Sequence, residues 1–242
     1  MFLSIIIPAY NEEKRLPKTL LDIDKYLRGQ DYDYEIIVVS DGSTDKTADV
    51  VKSLIGKVKN LKLIDNKVNH GKGFVARQGL LEAEGEIRLF TDADNSTSID
   101  QVEKIFPWIK KGFDIVIGSR DIEGAVLDPP QPFYRQFLGK AFRLFFHIVC
   151  GLWMVKDSQC GFKAFSGKAA EDILPRCRIN RFAFDPEILA IGERLGYKIK
   201  EIPVRWRNDI HSKVKLSSTI KMALDLLKIR WNLITNKYGI KK

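Results

Sequence analysis

The chain has 242 residues, of which 45% are hydrophobic and 29% charged. That balance suits one sizeable domain with a full core and excludes a disordered or collagen-like chain. The net charge of +9 is uneven, since residues 1–120 hold 18 Lys/Arg against 19 Asp/Glu and residues 121–242 hold 22 against 12. The second half is therefore expected to face an anion: phosphate, acidic lipid or nucleic acid.

In chain order, short apolar runs rich in β-branched residues at 3–7, 35–39, 61–64, 87–90 and 115–117 predict strands. Helical periodicity falls between them at 12–28, 45–55, 73–84 and 99–111. The alternation predicts βαβ units, hence an α/β fold with a mainly parallel twisted sheet and helices on both faces. Asp128-Pro129-Pro130-Gln131-Pro132 reads as a rigid connector. After it come an aromatic-rich helix over 133–155, a strand over 198–206 and a polar loop to about residue 215. A last helix over 217–238 carries Ile220, Leu224, Leu227, Trp231 and Ile234 on one face. Residues 2–7 are too short and lack the basic leader of a signal peptide. The longest apolar stretch, 144–155, is too short for a bilayer span. Cys150, Cys160 and Cys177 lack metal-ligand spacing and are expected to be free thiols in a reducing compartment.

Ligands of such sheets bind beyond the carboxyl ends of the strands. The turn after the first strand, from Pro8 to Glu12, contains no glycine, which argues against a dinucleotide-binding oxidoreductase. Asp92 and Asp94 are the sharpest local feature. In extended backbone such a pair points to one side, and both carboxylates would meet one hard cation, Mg²⁺ or Mn²⁺, able to neutralise a diphosphate leaving group. A turn or helix cap is the other reading. Asp41 would accept from a base imino group or a sugar hydroxyl, while Gly42 makes the turn and Ser43, Thr44 or Asp45 caps the next helix. Asn69-His70-Gly71-Lys72-Gly73 opens a helix with a lysine, which suits an anion or forms a solvated turn. Arg120, Arg135, Lys163, Arg205, Arg207 and Lys213 are phosphate-binding candidates or surface charges, and Arg120 stands out by its place at a strand end. The three histidines share no ligand spacing, and no Ser/His/Asp or Cys/His set can be assembled.

Taken together, Ile5-Ile6-Ile7-Pro8-Ala9-Tyr10-Asn11-Glu12-Glu13, Val38-Val39-Ser40-Asp41-Gly42-Ser43-Thr44-Asp45 and Thr91-Asp92-Ala93-Asp94 resemble the family 2 glycosyltransferases of GT-A fold. Gly118-Ser119-Arg120, Asp157-Ser158-Gln159-Cys160-Gly161-Phe162-Lys163 and Phe182-Ala183-Phe184-Asp185 are similar to the branch making dolichyl- or polyprenyl-phosphate sugars, its glucosyl members more than its mannosyl ones. The resemblance runs over nearly the whole chain. It implies a metal-dependent, inverting hexosyltransferase using Mg²⁺ or Mn²⁺, a nucleotide-sugar donor and a dolichyl or polyprenyl phosphate acceptor. UDP-glucose is the implied donor, with GDP-mannose or a non-lipid glycan acceptor as alternatives.

By the same resemblance, Pro8, Tyr10, Glu12 and Asp41 line the nucleoside pocket and Lys72 belongs to the donor site. Asp92 and Asp94 hold the metal and diphosphate, Asp94 more directly. Arg120 and Arg135 receive the acceptor phosphate, and Arg207 and Lys213 come from a mobile loop that closes over the donor. Asp92, Asp94 and Arg120 are the implied catalytic residues. His211 stands where a glycine is common in that loop, and Ser96 stands where mannosyl members often place a metal-binding Gln. Residues 1–215 form the implied catalytic domain, divided at 120 into nucleotide-sugar and acceptor halves, and 216–242 a C-terminal amphipathic helix. With a lipid acceptor, the helices over 133–155 and 217–238 would lie in the membrane interface, Trp153 and Trp231 at headgroup depth, peripheral on the cytoplasmic face. Only the charge suggests nucleic acid; no motif supports it, and none is expected as a partner.

Overall fold

The computed structural model of the chain describes residues 1–129, 133–207 and 216–240, with the side chains of 133–138, 140–142 and 216–218 outside the description. The apolar runs form a sheet buried on both faces. In β1 (Leu3–Ala9), Leu3, Ile5 and Ile7 join one core cluster and Ile6 the other, as the two-residue period of a strand requires. The same alternation divides β2 (Tyr34–Asp41) and β4 (Ile87–Thr91), where Val38 and Leu89 face the first cluster and Val39 and Phe90 the second.

The remaining strands are β3 (Leu61–Asn66), β5 (Ile115–Ser119), β6 (Val126–Asp128), β7 (Phe162–Ser166), β8 (Ile199–Pro203) and β9 (Arg205–Arg207). Among the described residues, seven of the nine strands form one sheet, in the order β3-β2-β1-β4-β7-β5-β8. It is parallel except for β7, which runs antiparallel between β4 and β5. The sequence reading missed β7, a five-residue strand that carries a buried lysine in an otherwise apolar pattern. The helices are α1 (Leu16–Leu27), α2 (Thr47–Leu54), α3 (Lys72–Glu82), α4 (Phe106–Lys110), α5 (Phe133–Cys150), α6 (Gly167–Ile173), α7 (Phe184–Arg194) and α8 (Leu216–Ile234).

Three expected elements differ. The helix over 99–111 is a 3-10 segment (Ile99–Lys104) followed by α4, because Pro107 lacks an N–H and restrains the residue before it. The strand over 198–206 breaks at Val204. There the chain leaves the main sheet, and β9 pairs with β6 in a separate two-stranded ladder. The helix over 133–155 ends at Cys150, where Gly151 takes a left-handed φ of +81°.

Helix α3 lies tight on the sheet because Gly79 has no side chain. A Cβ there would stand 2.6 Å from Ile6 Cγ2 and 2.8 Å from Val39 Cγ2. Gly79→Ala is expected to destabilise the fold by about 1–3 kcal/mol, since overpacked cores relax poorly; chemical denaturation measures it.

Helix α8 has two apolar rows. Met222, Leu226, Ile229 and Leu233 are buried, while Ile220, Leu224, Leu227, Trp231 and Ile234 are each 51–65% exposed. The stripe expected from sequence exists, but it points away from the core. Beyond α8 the chain is tied back to the body: Arg176 Nη1 donates to Tyr238 O (3.1 Å) and the Tyr238 hydroxyl to Glu187 Oε1 (2.8 Å). Among the described residues no helix is long and apolar enough to cross a membrane. The three cysteines are free and buried, and burial pushes the Cys150 and Cys160 thiols up to about 12.

Candidate active site

The turns after β1 and β2 are zipped together. Asn11 N donates to Ser43 Oγ (3.1 Å), Thr44 N to Asn11 Oδ1 (2.8 Å) and Glu12 N to Thr47 Oγ1 (2.8 Å). The cap expected at Ser43, Thr44 or Asp45 falls one residue later, on Lys46, which makes no side-chain cap bond; Asp45, just before it, accepts from Thr47 N at 2.9 Å. Of the residues expected to line a nucleoside pocket, Tyr10 stands on this rim, 42% exposed. Pro8 is buried within β1, and the Glu12 carboxylate is gripped by Arg15 Nε and Nη2, both at 2.7 Å. These two therefore frame the rim rather than open onto it. Asp41 is also buried, its Oδ1 accepting from His70 N (2.7 Å) and its Oδ2 from Gly71 N (2.9 Å).

Those bonds correct the expectation of an anion at the opening of α3. The amides of His70 and Gly71 already serve Asp41, and Gly73 N and Phe74 N donate to Asn180 O at 2.8 and 3.2 Å. Gly71 has φ +100°, and a Cβ on it would stand 2.4 Å from Asn180 O, so this close approach requires glycine. What α3 offers is the Lys72 side chain, whose Nζ lies 2.6 Å from Asp92 Oδ1. Burial disfavours the Lys72 charge, but the Asp92 and Asp185 carboxylates outweigh it and raise the ammonium pKa.

Asp92 directly follows β4, but Asp94 does not continue the strand. They occupy a turn in which Asn95 N donates to Asp92 O (3.4 Å) and Asn95 has φ +55°. The two carboxylates nevertheless feel each other: burial, then the Asp92 charge, raises the pKa of Asp94. Asp94 Oδ1 accepts from Ser96 N (3.0 Å), and its Oδ2 is 4.0 Å from Arg15 Nη1. Nothing in the sequence marked Arg15. Asp92 is anchored across the sheet, its N donating to Gly161 O at 3.2 Å. Gly161 also makes room for the carboxylate, since a Cβ there would stand 1.9 Å from Asp92 Oδ2. Among the described residues no cluster of three or more His, Cys, Asp or Glu could hold a metal unaided. Two carboxylates fit a hard divalent cation that draws its other ligands from substrate phosphate and water.

A second charged cluster lies beyond β5. Arg120 Nε and Nη2 donate to Asp157 Oδ2 and Oδ1 at 2.7 and 2.9 Å, and Arg120 N donates to Oδ2 at 3.0 Å. Burial works against the Asp157 charge, but the Arg120 guanidinium outweighs it and holds this carboxyl at about 2. The pair borders a cavity of about 220 Å³ whose walls include Arg143, Lys156, Ser158, Gln159 and Met222. Arg143, not singled out from sequence, pairs with Asp121. The two clusters are joined covalently, because Asp157 and the Asp92 anchor Gly161 share one short segment.

Arg207 ends β9 rather than lying in a loop, and its N donates to Ser96 O at 2.7 Å, beside Asp94. Lys213, with His211 and Ser212, lies outside the described residues, as does the side chain of Arg135 in α5. Sequence reasoning left Asp157 and Asp185 without a role and took Lys163 as a phosphate binder or a surface charge, whereas Lys163 is buried and paired inside the core. All three lay in quoted motifs, but nothing in a linear motif says that Asp157 meets Arg120 or that Lys163 meets Asp185 at 2.7 Å.

The architecture is that of a GT-A glycosyltransferase. It superposes on Mycobacterium tuberculosis glucosyl-3-phosphoglycerate synthase, crystallised with Mn²⁺, uridine diphosphate and phosphoglyceric acid, with a TM-score of 0.70 at 19% identity, covering 100% of this chain and 80% of that one. Residues 4–174 match the family described as Glycosyl transferase family 2, and the chain belongs to that family. It is 40% identical over 239 residues to a dolichyl-phosphate beta-glucosyltransferase of Trichomonas vaginalis, covering 95% of this chain and 73% of the relative. It is 38% identical over 254 residues to the Dictyostelium discoideum protein of the same name, covering 100% and 77%.

Proposed function

We propose that this glycosyltransferase moves glucose from UDP-glucose onto the phosphate of dolichol or a related polyprenol, inverting the anomeric carbon. The observation that carries the reading is the pair of charged clusters on one edge of the sheet. One, Asp92, Asp94 and Lys72, suits a metal-chelated diphosphate. The other, Arg120 beside its cavity, suits a second phosphate. The names of the relatives supply the sugar and the lipid.

A phosphomonoester is ionised at neutral pH, so the acceptor oxygen attacks the anomeric carbon without a general base. The chain's task is to hold two anions in line and to lessen their repulsion. Tyr10 orients the nucleoside, Asp41 holds the 69–71 turn that borders its pocket, and Lys72 meets the diphosphate. Arg120, with neither of its side-chain bonds to Asp157 using Nη1, meets the acceptor. The family resemblance would add Arg135 to the acceptor phosphate and Arg207 and Lys213 to the donor side. Mg²⁺ or Mn²⁺ held by Asp92 and Asp94 would neutralise the leaving diphosphate.

The exposed stripe of α8 supports a peripheral place at the membrane surface, and we assign that surface to the cytoplasmic face. Leu144, Ile148, Trp153 and Met154, at the end of α5 and just after it, are 55–85% exposed and add to the apolar surface. Leu224→Ser with Trp231→Ser is expected to weaken flotation with anionic liposomes at least tenfold with little change in Tm, since both side chains already face water.

The direct test is transfer of radiolabelled sugar into organic-extractable lipid. UDP-glucose and GDP-mannose are offered separately with dolichyl or undecaprenyl phosphate, with Mg²⁺, Mn²⁺ or EDTA. Metal-dependent glucose label in the lipid, lost in Asp94→Ala, is the expected result. Transfer only from GDP-mannose would overturn the donor, and donor binding without lipid labelling would overturn the acceptor.

A further inference from the structure

Behind the Lys72–Asp92 contact lies a second lysine–aspartate pair that the reaction above does not use. Lys163 of β7 and Asp185 of α7 are 1% and 5% exposed and stand 2.7 Å apart, and Lys163 Nζ also donates to Cys160 O. A buried ion pair is a poor source of stability, since well-packed apolar residues often serve as well. Its position points to another role. Both ammonium groups lie against the Phe90 ring, at 5.4 Å for Lys72 and 6.0 Å for Lys163. The start of α3 is locked to the segment leading into Asp185. Gly73 N bonds Asn180 O at 2.8 Å, a Cβ on Gly73 would stand 2.5 Å from Phe184 Cβ, and Phe184 meets Phe90 edge-on with ring centroids 5.5 Å apart. Lys72 thus has Asp92 at 2.6 Å, and Asp185, tied down by Lys163, directly follows the Phe184 that packs against Gly73 and Phe90.

We propose that Asp185 and Lys163 are positioning residues for Lys72. They keep its ammonium at the donor site when Asp92 turns to a metal-bound diphosphate, so that Lys72 passes from one anion to another without losing a charged partner. This rests on the donor-site reading above and adds to it two residues that touch no substrate.

The test is a double-mutant cycle. Lys72→Gln is expected to weaken UDP binding in the presence of Mn²⁺, read by calorimetry, by about tenfold, and Asp185→Asn by a similar factor. The double variant should be little worse than Lys72→Gln alone. Asp185→Asn leaves Lys163 buried without its partner and is liable to unfold. Lys163→Met with Asp185→Leu removes both charges together and should keep the Tm near wild type while weakening UDP to the same extent. Wild-type UDP affinity in that folded variant, or effects of Lys72→Gln and Asp185→Asn that simply multiply, would overturn the proposal. A ligand-free readout separates its failure from that of the functional reading. The Lys72 ammonium should give a slowly exchanging NMR signal in wild type that is lost in the Lys163→Met/Asp185→Leu variant. An unchanged signal there would overturn the positioning role whatever the enzyme transfers.

Discussion

Gly161→Ala is expected to lower sugar transfer by about a hundredfold while leaving the protein folded. The backbone at Gly161 is not in the left-handed region, so alanine meets no conformational objection there. The conflict is with one side chain. The new Cβ would stand 1.9 Å from Asp92 Oδ2 and 2.4 Å from Asp92 Cγ. Asp92 has room to yield, being about one third exposed, but yielding separates it from Lys72 Nζ and from whatever it shares with Asp94. A displacement of about 1 Å at a catalytic group can cost a hundredfold in rate. The expected pattern is a Tm within a few degrees of wild type and a loss of activity close to that of Asp92→Ala. Near-normal transfer by Gly161→Ala would mean that the place of the Asp92 carboxylate does not matter.

Removing Asp157 is expected to act on both stability and acceptor use. Its carboxylate accepts two side-chain bonds and one backbone bond from Arg120, and Asp157 is 4% exposed. Asp157→Ala leaves the Arg120 charge largely buried without its counter-ion, a change that costs about 3–5 kcal/mol. For a chain of this length that lowers the Tm by roughly 10 °C. Asp157→Asn keeps the shape and loses the charge, so it should be the milder variant, raising the acceptor KM more than the donor KM. The pH dependence has a definite sign. The Asp157 carboxyl is held at about 2 against an ordinary value of 3.8. The pair therefore contributes fully above about pH 4 and is lost as pH falls through about 2. The stability gap between wild type and Asp157→Asn, measured by urea denaturation, should narrow over that window and stay constant from pH 5 to 8.

The five leading strands were legible because each is a short apolar run bounded by turn formers; four are buried on both faces, while β3, at the sheet edge, is buried only at Leu61. β7 was not, since Lys163 interrupts its apolar character and only the ion pair with Asp185 makes that lysine tolerable in a core. In the site, Asp92, Asp94, Lys72 and Arg120 were legible by their places after strands or at a helix start. Gly161 and Arg15 were not. Gly161 matters through a contact across the sheet and Arg15 through its nearness to Asp94, and sequence spacing encodes neither.

What the sequence determined by itself, then, was the α/β alternation and the edge of the sheet where the charged candidate residues gather, because these depend on local periodicity and on the rule that ligands bind past strand ends. The tertiary structure decided which charge meets which. Asp41 takes the amides that a free anion would have used, Arg120 takes Asp157, and Lys72 takes Asp92. It also decided that one apolar row of α8 turns outward while the other packs. A helix carries both rows at the same periodicity, and only the body it packs against decides which one remains exposed.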